Sequence, residues 1–344
     1  MNNILTGAAM GAALTTAGVY APDIILSQFN FTDFTMLQTF LSAAAGSTLL
    51  VTAAQTLQLT SLPPRGASNL FGCGRYDGNL AGGALLGAGM AISGACPGTV
   101  LAQLGVGVAS GRYALAGAVA AGVAWSWIVR RRKNLASAPC SASVGGGKGS
   151  DGKEGVDKTG KGRQQECDQG ETVYELLGVS RGALLVALEA VLVLAVAAAA
   201  RYTNAGAAEA RGLPPYYAGL AIAAAQLVSI VLRRSLLGAS SAFEDIGGWL
   251  WGARKYANVL FSAGVVGGAW LISRAVPALR PVTEVAISPS RSFLGGFMIV
   301  LGSRMAGGCT SGHGISGLSL MSVSSFLTAA AIFGVGGLTG VLLG

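Results

Sequence analysis

Charge is scarce in this chain. Asp, Glu, Lys and Arg make up 11% of its 344 residues, against about a quarter in a typical soluble domain. Uncharged apolar runs of about 18 or more residues recur, each long enough for a bilayer of roughly 30 Å. A water-soluble fold is therefore excluded, and the mean hydropathy of +0.57 agrees. Histidine is nearly absent, His313 being the single copy. The five cysteines are an odd count with no framework of spaced pairs, which excludes a disulfide scaffold and leaves the thiols free. One histidine and two motif cysteines are too thin a ligand set for a metal centre. The N-terminus, MNNILTGAAMGAAL, lacks a basic n-region, so its apolar run is expected to stay as a helix rather than be cleaved. The net charge of +8 needs no nucleic acid, because much of it lies in loops, where Lys and Arg set membrane orientation. No cofactor is expected.

Glycine, by contrast, is abundant at 53 residues. Much of the pattern is carried by GGALLGAGMAISGACPGT, from Gly82 to Thr99, which recurs as GGFMIVLGSRMAGGCTSG from Gly295 to Gly312. An offset of 213 residues carries Gly82, Gly83, Gly89, Gly94 and Cys96 onto Gly295, Gly296, Gly302, Gly307 and Cys309. The chain thus reads as a duplicated unit with one cysteine per copy.

The hydrophobic pattern predicts an all-α polytopic membrane protein of about nine spans: Ile4 to Tyr20, Thr35 to Leu62, Gly78 to Ala95, Tyr113 to Val129, Gly182 to Ala200, Gly212 to Leu232, Tyr256 to Ile272, Phe293 to Gly308 and Ser324 to Leu343. Amphipathic loops follow the first span of each half, around Ile24 to Phe34 and Ser235 to Trp251. Residues 1–134 form the first repeat, 135–177 a cytoplasmic linker, 178–204 a bridging helix containing Glu189, and 205–344 the second repeat. Within the linker, Ser141 to Thr172 is too poor in large apolar residues to bury a core, and disorder is expected there, with Cys140 and Cys167 as unpaired bystanders. An odd bridge between four-span halves makes them antiparallel, the inverted-repeat plan of many secondary transporters. Loop arginines and lysines favour a cytoplasmic N-terminus.

Each motif ends in a helix start within the apolar region. Pro97-Gly98-Thr99 follows Cys96, with proline at the first helical position. Thr310-Ser311-Gly312-His313-Gly314 follows Cys309. Backbone inside a bilayer that does not span it is tolerated only around a protein-enclosed or watered cavity. The free N–H groups and positive dipole end of such a half-helix attract anions, and a cysteine there gains thiolate character or donates a soft S–H. The glycines alone fit small-residue helix packing equally well. Arg304, one turn before Cys309, either attracts a dianion or contacts backbone carbonyls. His313 fits a hydrogen bond that shapes its loop, direct ligand contact or a Cys-His pair. Glu189 is expected to be a peripheral carboxylate bonded to a neighbouring helix.

GACPGT and GGCTSGHGISG, each after a Gly-rich helix, resemble the motifs of the YeeE/YedE family of sulfur transport proteins. The resemblance covers the chain apart from its linker. It implies an hourglass-like bundle of nine spans with re-entrant loops, and uptake of thiosulfate or a related sulfur anion past Cys96 and Cys309. Pro97, Gly98, Thr99, Thr310, Ser311, Gly312, His313 and Arg304 then complete the substrate-binding set. Several members carry a further cysteine in the first helical region, where Ile4 to Phe34 has none; either two thiols suffice or Gln28 or Ser27 substitutes. The plasma (inner) membrane is the expected location, and a cytoplasmic sulfur-accepting protein the expected receiver. A membrane-embedded persulfide-transfer enzyme and a channel for metal or another small solute are the alternatives.

Deleting Gly145 to Gly162 is expected to leave uptake within about a factor of three, since that composition has no means of packing. Labelled thiosulfate uptake at matched membrane abundance checks this, and loss of uptake would make the linker functional.

Overall fold

The computed structural model describes residues 1–60, 62–136, 170–203, 212–279 and 287–343. Among these the chain is helical, with no strand beyond an isolated antiparallel bridge between Thr172 and Ser322. Six segments are long and apolar enough to cross a membrane: Thr35–Thr56 (α3), Asp77–Val106, Ala109–Arg131, Arg181–Tyr202 (α8), Pro215–Arg233 (α9) and Val323–Leu343 (α13). The second comprises two helices, Asp77–Ser93 (α4) and Pro97–Val106 (α5), and the third lies within Ala109–Ala136 (α6). Helices also stand at the other three expected spans, Asn2–Thr16 (α1), Ala257–Ala275 (α11) and Pro289–Met305 (α12). These fall below the same standard of length and hydropathy. α1 and α12 have 15 and 17 residues, while Asn258 and Arg274 dilute α11. The expected amphipathic loops are short helices, Pro22–Phe29 (α2) and Ser241–Trp249 (α10).

Helix packing exchanges partners between the halves. α1 packs on α11, and α9 on α3; α4 packs on α13, and α12 on α6. Elements in corresponding positions also meet each other, α4 with α12 and α1 with α9. Both of these pairs are antiparallel. The start of α1 is tied to the end of α9 by Asn2 Nδ2 donating to Leu232 O at 3.1 Å. At the other end, Leu213 N, just before α9, donates to Thr16 O at 3.0 Å. In the α4–α12 crossing, a Cβ on Gly82 would strike the backbone at Gly302 and Ala306, and one on Gly295 would lie 2.8 Å from Gly89 O. Glycine is required here because the two backbones touch, the close approach that small residues give to helices in lipid.

Residues 57–60, 62–76 and 170–180 share one face of the bundle, the linker face. Its order starts earlier than the composition implies. Of the stretch 135–177 read as linker, Gly170 to Leu177 is structured, and Val173–Leu177 is a helix (α7). Val173 N donates to Met321 O at 2.9 Å, Val323 N donates to Glu171 O at 3.0 Å, and Arg75 pairs with Glu171 at 2.8 Å. Backbone pairing and an ion pair thus order three residues that own no core. Leu135 and Ala136 complete α6, and residues 137–169, Cys140 and Cys167 among them, lie outside the described residues. The second span also stops early, at Thr56 rather than Leu62, where Gln58 takes a positive φ of 54°.

Gly302→Leu should lower the melting temperature in detergent, since overpacking of this kind costs roughly 1–3 kcal/mol or more. Gly334→Leu, where nothing lies within 4 Å, should leave it unchanged. Equal melting of both variants would remove the close crossing from the account.

Candidate functional site

α4 stops at Gly94, whose φ of +60° lets the chain leave the helix while its N–H still donates to Met90 O at 2.9 Å. Cys96 is then the N-cap of α5, and Pro97 follows at the first helical position. The thiol occupies the place usually held by Ser, Thr, Asp or Asn. Thr99 N donates to Cys96 Sγ at 3.4 Å, and Cys96 N donates to Thr99 Oγ1 at 2.7 Å, a reciprocal capping box. Gln103, fully buried, fixes the half-helix by donating from Nε2 to Tyr20 O at 2.9 Å and Gly94 O at 3.0 Å.

The second motif repeats the turn with a different helix. Gly307, 213 residues after Gly94, again has positive φ, +79°. After Cys309, however, the chain forms a π-helix over Ser311–Gly317 instead of the regular half-helix expected. Three glycines in this stretch leave the turn free to widen, and Gly314 lies so close to the Phe40 ring that no side chain fits between them. Such π segments concentrate at functional positions. Cys309 Sγ and Ser311 Oγ are 3.3 Å apart, and the backbone N–H groups of Gly312, Ala239 and Ser240 reach the same sulfur. Ala239 and Ser240 lie directly before α10, so two chain segments converge on this thiol. Thr310 Oγ1 donates to Met90 Sδ at 3.3 Å, which joins this loop to α4.

Between the two motifs is a cavity of about 40 Å³, above the roughly 10–15 Å³ that one water needs. Cys96, Gly98 and Thr99 line one side, and Thr310, Ser311 and Ile315 the other. Leu14, Val19 and Met36 wall it at the ends of α1 and α3 remote from the linker face. Cys309, buried beside Ser311, lies just beyond this lining. A larger recess of about 340 Å³, lined by Arg130, Glu244 and Lys255 among others, contains neither cysteine.

The other candidate residues separate by location. Pro97 and Gly98 belong to the Cys96 cap, and Gly312 to the Cys309 loop. His313 uses both ring nitrogens within its loop: Nε2 lies 3.0 Å from Ala306 O, and Nδ1 2.9 Å from Ser325 Oγ. With a carbonyl on Nε2, that nitrogen carries the proton, and Nδ1 accepts from the serine. Arg304 points away from the cavity, pairing with Glu244 of α10 and donating to Ser241 Oγ at 3.5 Å. Ser27 donates to Asp23 O, and neither it nor Gln28 lines the cavity. The Cys73 thiol is exposed. Glu189 Oε1 is enclosed with no hydrogen-bond partner among the described residues.

Arg65 is the residue that sequence reasoning missed. In the sequence it is one loop cation among several, following Pro63-Pro64. In the fold its Nη1 donates to Gly307 O at 3.2 Å, and its guanidinium lies beside Gly308, Gly312 and the Cys309 thiol. No local pattern marks it, because the contact spans 242 residues.

A family model described as "Sulphur transport" matches residues 17–339, nearly the whole chain. The chain belongs to the sulphur transport family. The motif resemblance to YeeE/YedE proteins is thereby borne out, and the sulphur transport protein is an integral, multi-pass membrane protein with a sulfur-containing anion as its cargo. Two proteins from Xylella fastidiosa, strains Temecula1 and 9a5c, each named "Probable transporter", are 32% and 31% identical to it over 124 residues. Those residues are 36% of this chain and 88% of each relative.

Glu244→Gln should destabilise this sulphur transport protein by roughly 1–2 kcal/mol by stranding Arg304 in a partly buried site. Replacing both by methionine should recover most of the loss. Thermal melting in detergent measures it, and a double variant as unstable as the sum of the singles would refute the pairing.

Proposed function

We propose that the protein imports thiosulfate, or a close relative of it, along a central pathway on which the Cys96 and Cys309 thiols act in succession. The observation that carries this reading is the cavity with the Cys96 cap on one side and the Thr310-Ser311 turn beside Cys309 on the other. Thiosulfate has a soft terminal sulfur and hard oxygens. An S–H donor suits the former, and the converging N–H groups around Cys309 suit a negative charge. Neutral donors hold a dianion without the tight binding that would stall release. Pro97, Gly98, Thr99, Thr310, Ser311 and Gly312 shape the two openings, while His313 braces its loop. Arg304, committed to Glu244, contributes through structure instead of ligand contact.

An inverted repeat supports this pathway. The corresponding pairs α4–α12 and α1–α9 run antiparallel, as equivalent elements do when one half is turned over. Relatives whose length is almost filled by about a third of this chain fit a unit that also exists singly. With nine spans, the N-terminus and linker face lie in the cytoplasm, where a sulfur-accepting protein receives the cargo, and the inner membrane is the site of action.

Cys96→Ala and Cys309→Ala each remove a donor while barely changing volume. Membrane abundance should hold and labelled thiosulfate uptake should fall about tenfold or more, with serine rescuing poorly because its hydroxyl is the harder donor. Combined replacement of Cys73, Cys140 and Cys167 should retain most uptake. Wild-type uptake in both single variants would return the two motif cysteines to a packing role.

A further inference from the structure

Three arginines lie near the linker face by the second motif, and two of them have carboxylates. Arg75 pairs with Glu171, and Arg304 with Glu244. Arg65 pairs with no carboxylate among the described residues. Its guanidinium makes one bond, from Nη1 to Gly307 O, and its Nε is enclosed without a partner. A half-buried guanidinium with unspent donors and no counter-ion among the described residues is a place that an anion would complete.

The guanidinium and the Cys309 thiol are neighbours. A Cβ built on Gly312 would lie 3.1 Å from Arg65 Nη2 and 3.7 Å from Cys309 Sγ, so guanidinium and thiol flank one glycine. A Cβ on Gly308 would lie 2.9 Å from Nη1, so the motif's glycines leave room for this side chain. From the other side the Arg65 backbone is held firmly. Ser322 and Ser324 hydroxyls donate to its carbonyl at 2.9 and 3.0 Å, and Gly170 packs against the same group.

We propose that Arg65 and Cys309 form a two-point recognition site for a sulfur oxyanion at the linker-face end of the pathway. Arg65 binds two oxygens through its planar fork, and the Cys309 thiol meets the terminal sulfur. The inference rests on the transport reading of Cys309 and adds the element that distinguishes an oxyanion from other soft anions. An ion with oxygens and no terminal sulfur engages only Arg65, and one with a terminal sulfur and no oxygens engages only Cys309.

The test is binding of labelled thiosulfate to the purified full-length protein, competed with sulfate and with thiocyanate. Arg65→Gln should weaken thiosulfate about tenfold or more and abolish competition by sulfate, while thiocyanate competes within about threefold of wild type. Cys309→Ala should show the reverse, keeping sulfate and losing thiocyanate. Arg65→Lys keeps the charge without the fork and should fall between, about three- to tenfold weaker for thiosulfate. Arg65→Gln binding within twofold of wild type overturns the proposal, and so does an equal loss for all three anions, which is the mark of a merely structural role. If Arg65→Gln is not recovered folded, Arg65→Lys decides, and unchanged thiosulfate and sulfate binding in it is equally fatal. A wild-type protein that binds no thiosulfate removes the transport reading and this site together, an outcome distinct from failure of the Arg65 variants alone.

Discussion

A helix that stops inside a bilayer leaves amide N–H groups facing a medium that cannot solvate them, and the interior of this protein is built to answer that constraint. At the first motif the answer comes from Cys96 and Thr99, which cap each other and close the end of α5. At the second, the N–H groups of Gly312, Ala239 and Ser240 gather on Cys309. Both sulfur atoms are thus acceptors that satisfy amide groups at the two helix starts.

Close helix packing follows from the same constraint. Half-helices have to be enclosed by protein, and enclosure within so short a chain demands that the surrounding helices touch backbone to backbone. Gly82 against Gly302 and Gly295 against Gly89 give that contact in both directions. Chemistry and packing are served by neighbouring positions in one motif, which is why the glycines and cysteines recur at a common offset.

The sequence was legible wherever the signal was local or repeated. Apolar runs marked the helices, and Pro97 marked the start of α5. The 213-residue offset aligned Gly94 with Gly307, and in the fold both have positive φ. Legibility failed where long-range contacts decide. Nothing in Thr310-Ser311-Gly312-His313-Gly314 distinguishes a π-helix from an α-helix, and the Phe40 ring that packs against Gly314 comes from a helix remote in sequence. For Arg304 the sequence left an anion and backbone carbonyls equally open as partners, and the fold gives it Glu244 instead. Arg65, remote in sequence, is the cation that reaches the thiol. Gly170 to Thr172 looked too polar to order, and does so by lending backbone hydrogen bonds to a turn on α13 instead of burying side chains.

That last attachment also serves the arginine. Ser322, bridged to Thr172, donates with Ser324 to the Arg65 carbonyl, so the few hydrogen bonds that seat the chain ahead of α8 also fix the backbone from which the Arg65 guanidinium reaches the second motif. One cluster of small hydroxyls and backbone groups thereby sets the position of two chain segments far apart in sequence, and a change in it is felt at both.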